Sequence, residues 1–199
     1  MPLVYVALGD SVAAGYRAAP GHDYVAQLHR YLRRADPGWR LLRLARPGAT
    51  TADLYGQVRR ALAARPDLIT VNIGGNDLRR AYPDPLRVLP VSMHHLDWAL
   101  GTLRRRSRAR VFVADVYNPV PPGSRLHEPA ARWIGAFNRE LGRVVARHRC
   151  VYVPIGEALA HSGGQAIASD GLHPSTAGHS VIAAAFLGAG LSRMARLTR

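Results

Sequence analysis

Five short runs punctuate the chain: "LVYVAL" (3–8), "WRLLRL" (39–44), "DLITVNI" (67–73), "RVFVADV" (110–116) and "CVYVPI" (150–155). Three of them are almost continuously apolar and β-branched. Strands buried on both faces of a parallel sheet have this character, whereas strands with one wet face alternate. "WRLLRL" carries two Arg and suits an edge strand. Helical patterns lie between the runs, at about 22–35, 51–64, 90–106 and 129–148, with a last one at about 175–195. This βαβ alternation predicts a three-layer α/β/α sandwich with right-handed crossovers. With 199 residues and no repeat or low-complexity linker, the expectation is one domain over 1–199. Two connections are long, 74–85 and 117–129. Both follow strand C-terminal ends, where open α/β sheets place their sites.

Charge raises a competing possibility. The formal net charge is +14, which suits nucleic acid or an anionic surface. All 27 basic residues are Arg, however, and Lys is absent. So complete a bias reads as genome composition. The Arg residues are spread along the chain, and no zinc-finger spacing or RNA-binding aromatic motif accompanies them. The expectation is no specific nucleic-acid partner. No apolar stretch approaches the roughly 20 residues that span a bilayer. The N-terminus shows no basic n-region, h-region or small-residue cleavage site. A cytoplasmic location is expected unless a leader has been removed. Cys150 is the only cysteine, so no internal disulfide forms, and its setting beside "VYVP" reads as a buried inert thiol. The oligomeric state has no signature.

Four short motifs fall after strands or at the last loop: "GDS" (9–11), "RPGATT" (46–51), "GGND" (74–77) and "DGLHP" (170–174). Ser11 reads either as a helix N-cap or as a nucleophile in need of an adjacent base. Gly9 relieves crowding in the turn, and a helix beginning in "VAAGY" could aim N–H groups at an anion. Asp170 and His173, at i and i+3, read either as solvated loop residues or as a carboxylate that orients an imidazole base. Pro174 biases His173 toward an extended conformation and so keeps the pair outside the helix that starts near Ser175. Asn76 and Gly48 are each either ordinary turn residues or donors to an oxyanion, Asn76 through its side chain and Gly48 through its backbone. No other His, Asp or Cys cluster has metal-ligand spacing, so neither a metal nor a cofactor is expected.

Taken in order, Ser, Gly, Asn and Asp-x-x-His resemble the SGNH hydrolases, also called GDSL esterases and lipases. The resemblance covers essentially the whole chain. It implies a flavodoxin-like sandwich with five parallel strands in the order 2-1-3-4-5. It implies a metal-independent esterase acting on a small-molecule ester or thioester through an acyl-enzyme on Ser11, with His173 as base and Asp170 as its partner. The Ser11 N–H, the Gly48 N–H and Asn76 would form the oxyanion hole. Two positions depart from the family pattern: Pro47 stands where many members have Ser, and Arg43 where they have Asn. Pro47 removes only its own donor, so the departure bears on loop rigidity and substrate contacts. The rival class is a non-enzymatic basic binding module on the same fold.

Other polar residues have plainer readings. Asp10 makes local turn hydrogen bonds, and Asp77 holds the Asn76 loop. His161 is solvated. His94 and His95 point about 100° apart on a helix and make a poor ligand pair. Trp39, Trp98 and Trp133 pack helices or strands, with one of them a candidate to line a pocket.

Overall fold

A computed structural model describes residues 2–163 and 165–196. Five parallel strands, β1 (Val4–Gly9), β2 (Arg40–Arg43), β3 (Leu68–Asn72), β4 (Arg110–Ala114) and β5 (Val151–Val153), form one sheet in the order β2-β1-β3-β4-β5. The register sets Tyr5 beside Leu68 and Leu68 beside Arg110, so the buried runs of β1, β3 and β4 lie flush at the centre. β2 is an edge strand, as its arginines require, with Arg40 exposed.

The continuous apolar character of the central strands follows from having helices on both faces. Side chains alternate along a strand. Tyr5 and Ala7 enter a core shared with Tyr24, Leu28, Phe112, Ile182 and Phe186. Val6 and Leu8 enter the other, with Ile69, Val71, Leu96, Leu100 and Phe137. The first core lies under α1 (Tyr24–Ala35), α6 (Ile155–Ala160) and α7 (Thr176–Gly188). The second lies under α2 (Leu54–Ala63), α4 (Leu89–Arg106) and α5 (His127–Arg147), with α3 (Gly75–Arg80) beside it. Each fully buried Leu or Phe contributes about 1.5–3 kcal/mol. Thr70 and Asn72 are the polar residues of β3, and the Thr70 hydroxyl is paired with that of Tyr5 at 2.9 Å.

Helix starts follow side-chain chemistry. Asp23 caps α1 by accepting from the Ala26 N–H, and Ser175 caps α7 by accepting from the Gly178 N–H. Three expectations change. "VAAGY" forms successive turns, not a helix, because its amides close short bonds such as Gly15 N–H to Val12 C=O at 3.1 Å. The last helix ends at Gly188, and a 3₁₀ segment, Leu191–Arg196, follows Gly190, whose φ is 103°. The connection after β3 contains α3, and β5 leads almost directly into α6. Among the described residues no helix is long and apolar enough to cross a membrane.

Trp39 is buried in the first core, and Trp98 packs on Tyr55 with ring centroids 4.3 Å apart. Cys150 is half-buried, and burial pushes its thiol up to about 11.

Candidate active site

The turn after β1 is built for close approach. Gly9 has φ 139°, and a Cβ there would lie 2.0 Å from the Asn72 carbonyl oxygen. Only glycine fits. The Gln57 side chain, from α2, grips the Gly9 peptide at both ends: its Oε1 accepts from the Gly9 N–H (2.7 Å) and its Nε2 donates to the Gly9 carbonyl (2.9 Å). Asp10 Oδ1 accepts from the Val12 N–H at 3.0 Å, the local turn bond expected of it. Asp10 is buried, and desolvation, with the nearby Asp77 charge adding to it, pushes its carboxyl up to about 7.

Ser11 faces the loop that precedes α7. Its Oγ lies 3.0 Å from His173 Nε2, and His173 Nδ1 lies 2.8 Å from Asp170 Oδ2. Asp170 Oδ1 accepts from the N–H groups of Leu172 and His173, both at 3.0 Å. The His173 N–H and imidazole, then the Leu172 N–H and Arg17, hold the Asp170 carboxyl well below the usual carboxylate range. The ionised carboxylate therefore takes the proton on Nδ1 as a hydrogen-bond donor, and the Nε2 lone pair is left for the Ser11 hydroxyl. The loop itself is pinned. Tyr117 donates its hydroxyl to the Leu172 carbonyl at 2.7 Å, and Ile167 and Pro174 form an antiparallel bridge.

Two donor-bearing turns flank Ser11. Gly48 has φ 78° in the turn closed by the Ala49 N–H on the Arg46 carbonyl (3.1 Å), and Arg80 donates to the Gly48 carbonyl at 2.7 Å. Asn76 lies in the first turn of α3. One N–H of its amide donates to the Ala49 carbonyl (2.9 Å), while Arg79 donates to its Oδ1 (3.3 Å), so the amide orientation is fixed and a second N–H remains. Among the described residues, neither the Ser11 N–H nor the Gly48 N–H has a hydrogen-bond acceptor. Gly74, with φ 119°, makes the tight entry into α3 and packs on the Phe137 ring. Asp77 accepts from the Thr51 N–H and hydroxyl and from Ser92, which joins the Gly48 and Asn76 turns. The departing position Arg43 braces the segment beyond Ser11, donating to the Ala13 carbonyl (2.8 Å) and to Asp23 (2.9 Å).

These groups open onto a cleft of about 540 Å³. Ser11, Asn76 and His173 line it, and Gly48 and Asp170 are not among its lining residues. Its other walls are mainly apolar: Leu78, Val116, Val120, Leu126, Trp133 and Ile134. Trp133 is thus the tryptophan that meets a pocket. His161 is remote from this chemistry, exposed, with its ring on the Glu157 carbonyl. His95 is engaged by Thr51. Among the described residues, no cluster of three His, Cys, Asp or Glu could hold a metal ion. Chemically, the arrangement offers a hydroxyl hydrogen-bonded to an oriented imidazole, with unengaged N–H donors nearby. Sequence reasoning missed Gln57, Tyr117 and Arg80, because each acts across tertiary distance with no local pattern to mark it, and Arg79, whose bond to Asn76 lies within a helix too short to be seen in the sequence.

The sequence profile of the GDSL-like lipase/acylhydrolase family matches residues 7–181. The chain belongs to that family. Its reaction class is the hydrolysis of carboxylic esters by a serine. An acetylxylan esterase of Geobacillus stearothermophilus is 26% identical over 197 residues, 90% of each chain. Among solved structures, the Geobacillus stearothermophilus acetylxylan esterase Axe2 superposes with a TM-score of 0.76 at 24% identity, covering 98% of this chain and 95% of that one. TesA superposes with a TM-score of 0.77 at 23% identity, covering 94% and 97%. At such identities the structural likeness speaks for the fold. The rival binding-module reading gains nothing from these matches.

Proposed function

We propose that Ser11, His173 and Asp170 form the catalytic triad of this esterase, and that the Ser11 N–H, the Gly48 N–H and Asn76 form its oxyanion hole. The observation that carries the reading is the unbroken line from Asp170 Oδ2 through His173 to Ser11 Oγ, with steps of 2.8 and 3.0 Å. In this mechanism the Ser11 oxygen attacks the ester carbonyl while His173 Nε2 takes its proton. The carbonyl oxygen becomes an anion facing the N–H donors. Collapse of the tetrahedral intermediate expels the alcohol, which receives the proton from His173. Water then attacks the acyl-Ser11 with the same proton traffic and releases the acid. Asp170 stays ionised throughout and stabilises the imidazolium. No step draws on a metal or cofactor.

The substrate we infer is an ester, or thioester, whose acyl chain is apolar and longer than acetyl. The cleft volume lies within the range of small-molecule sites, and the walls beyond Ser11 and Asn76 are mainly aliphatic and aromatic. Each methylene that leaves water is worth about 0.8 kcal/mol, or about fourfold in kcat/KM, until the cleft is full. A sugar-borne acetyl group would leave those walls unused.

A series of p-nitrophenyl esters from acetate to laurate, run beside acetylated xylo-oligosaccharides, tests both parts. The expected result is a rise in kcat/KM beyond acetate, abolished throughout by Ser11→Ala. Acetate as the best acyl group would overturn the chain-length reading alone. Retention of more than a few per cent of activity in Ser11→Ala, purified free of host esterases, would overturn the triad.

A further inference from the structure

The segment after Ser11 turns sharply twice. Gly15 has φ 86° and Arg17 has φ 67°. An arginine in the left-handed region is strained, so the surrounding contacts must hold it there. They are numerous. The Tyr16 N–H donates to the Ser11 carbonyl at 2.9 Å. The Tyr16 carbonyl accepts from His179 Nε2 at 3.2 Å, and His179 Nδ1 accepts from the Tyr24 N–H at 3.3 Å. His179 is fully buried, and because its Nδ1 accepts a backbone N–H its proton sits on Nε2; burial lowers its proton affinity. Two residues on, the Ala19 N–H donates to Thr176 on α7 at 2.9 Å.

The strained turn aims two side chains at the His173–Asp170 pair. The Tyr16 ring meets the imidazole edge-on, with centroids 4.6 Å apart. Arg17 Nε donates to Asp170 Oδ2 at 2.8 Å, the same oxygen that accepts from His173 Nδ1. The guanidinium lies 5.2 Å over the Tyr16 ring, which favours that pose.

We propose that Tyr16 and Arg17 are positioning residues, which lock the Asp170 carboxylate and the His173 ring in line with Ser11. The proposal rests on the triad reading above. Tyr16 limits rotation of the imidazole. Arg17 fixes the outer side of Asp170, takes part of the hydrogen-bonding capacity of Oδ2, and sets a permanent positive charge beside the site where the imidazolium forms. Removing that charge should favour the imidazolium relative to the intact protein. The other polar groups around the pair are Ser11 on its Nε2 side, Tyr117 on the Leu172 carbonyl, the buried Asp10 and the buried His179. Arg17 is the cation that bonds to the pair among the described residues.

The test is the pH profile of kcat/KM in Arg17→Ala, Arg17→Lys and Tyr16→Ala, with thermal unfolding as a fold control. The Arg17 side chain is half exposed, so both of its variants should fold. In Arg17→Ala the plateau should fall roughly tenfold through kcat with KM nearly constant. The acid limb should move to higher pH by about half a unit or more. Arg17→Lys keeps the charge and should return the limb most of the way while recovering only part of the rate, since an ammonium cannot copy the Nε geometry. Tyr16→Ala should lower kcat with the limb in place. An acid limb unmoved in Arg17→Ala overturns the proposal, whatever happens to kcat. An acid limb that persists in the residual activity of His173→Ala overturns the triad reading instead.

Discussion

Asp10→Asn removes an ionisation while keeping the turn that presents Ser11. The Asn carbonyl can still accept from the Val12 N–H, and the amide stands in for the protonated acid. In the wild type, burial raises the Asp10 carboxyl from an ordinary 3.8 to about 7. Between those values the native chain holds a proton that the unfolded chain has released. Stability therefore falls as pH rises through this window. The full span amounts to about 4 kcal/mol, of which roughly 2–3 kcal/mol falls between pH 5 and pH 8. Asp10→Asn does not lose this, so its stability relative to wild type should climb by that amount over the same interval. Urea unfolding of both proteins at several pH values measures the difference, and titrations common to both cancel. With a slope of about 1–3 kcal/mol per molar urea, the relative midpoint should shift by roughly 1 M or more. Parallel stability–pH curves for the two proteins would refute the reasoning and mean that Asp10 is solvated in the folded chain.

Three further outcomes are expected. Asn76→Ala should lower kcat by about 10²–10³ with little change in KM, because a donor to the oxyanion acts mainly in the transition state; steady-state kinetics would show a pure KM effect if Asn76 bound substrate instead. Gly74→Ala should cost at least about 2 kcal/mol in denaturant unfolding, since its φ of 119° disfavours a side chain and the new Cβ would lie 2.4 Å from the Phe137 ring. Duplex DNA should bind weakly, without sequence preference, and dissociate as salt rises toward physiological strength; a sequence-preferring complex that survives such salt in a mobility assay would give the arginines a function of their own.

Much of the frame was legible from residues alone, and the reason is periodicity. Runs such as "DLITVNI" are buried on both faces, so they announce a parallel strand without tertiary help. Once the strands were placed, "GDS", "GGND" and "DGLHP" fell at one end of the sheet. What stayed hidden has no local pattern. α3 and α6 are six residues each, too short for a helical period to stand out, and "GNDLRR" is polar enough to pass for loop. The cleft walls draw on irregular segments, where Val120 and Leu126 show no alternation. Arg17 and Asp170 lie 153 residues apart, and in a chain so rich in arginine nothing in the sequence separates Arg17 from the others. "VAAGY" misled because local helix propensity yields to the turns that the Gly9 and Arg17 conformations impose.

Ser11 and His173 meet across 162 positions of sequence, and their meeting depends on how the C-terminal segment is fastened: the bridge at Pro174, the Tyr117 hydroxyl, the bonds from Arg17 to Asp170 and from Ala19 to Thr176, the buried His179, and the packing of α7 against α1 and α6. Release of the C-terminal segment would separate His173 from Ser11 while β1, β3 and β4 kept their hydrogen bonds. Turnover is thus a sensitive gauge of C-terminal docking. Loss of that docking alone would abolish turnover while the spectroscopic signal of the sheet remained.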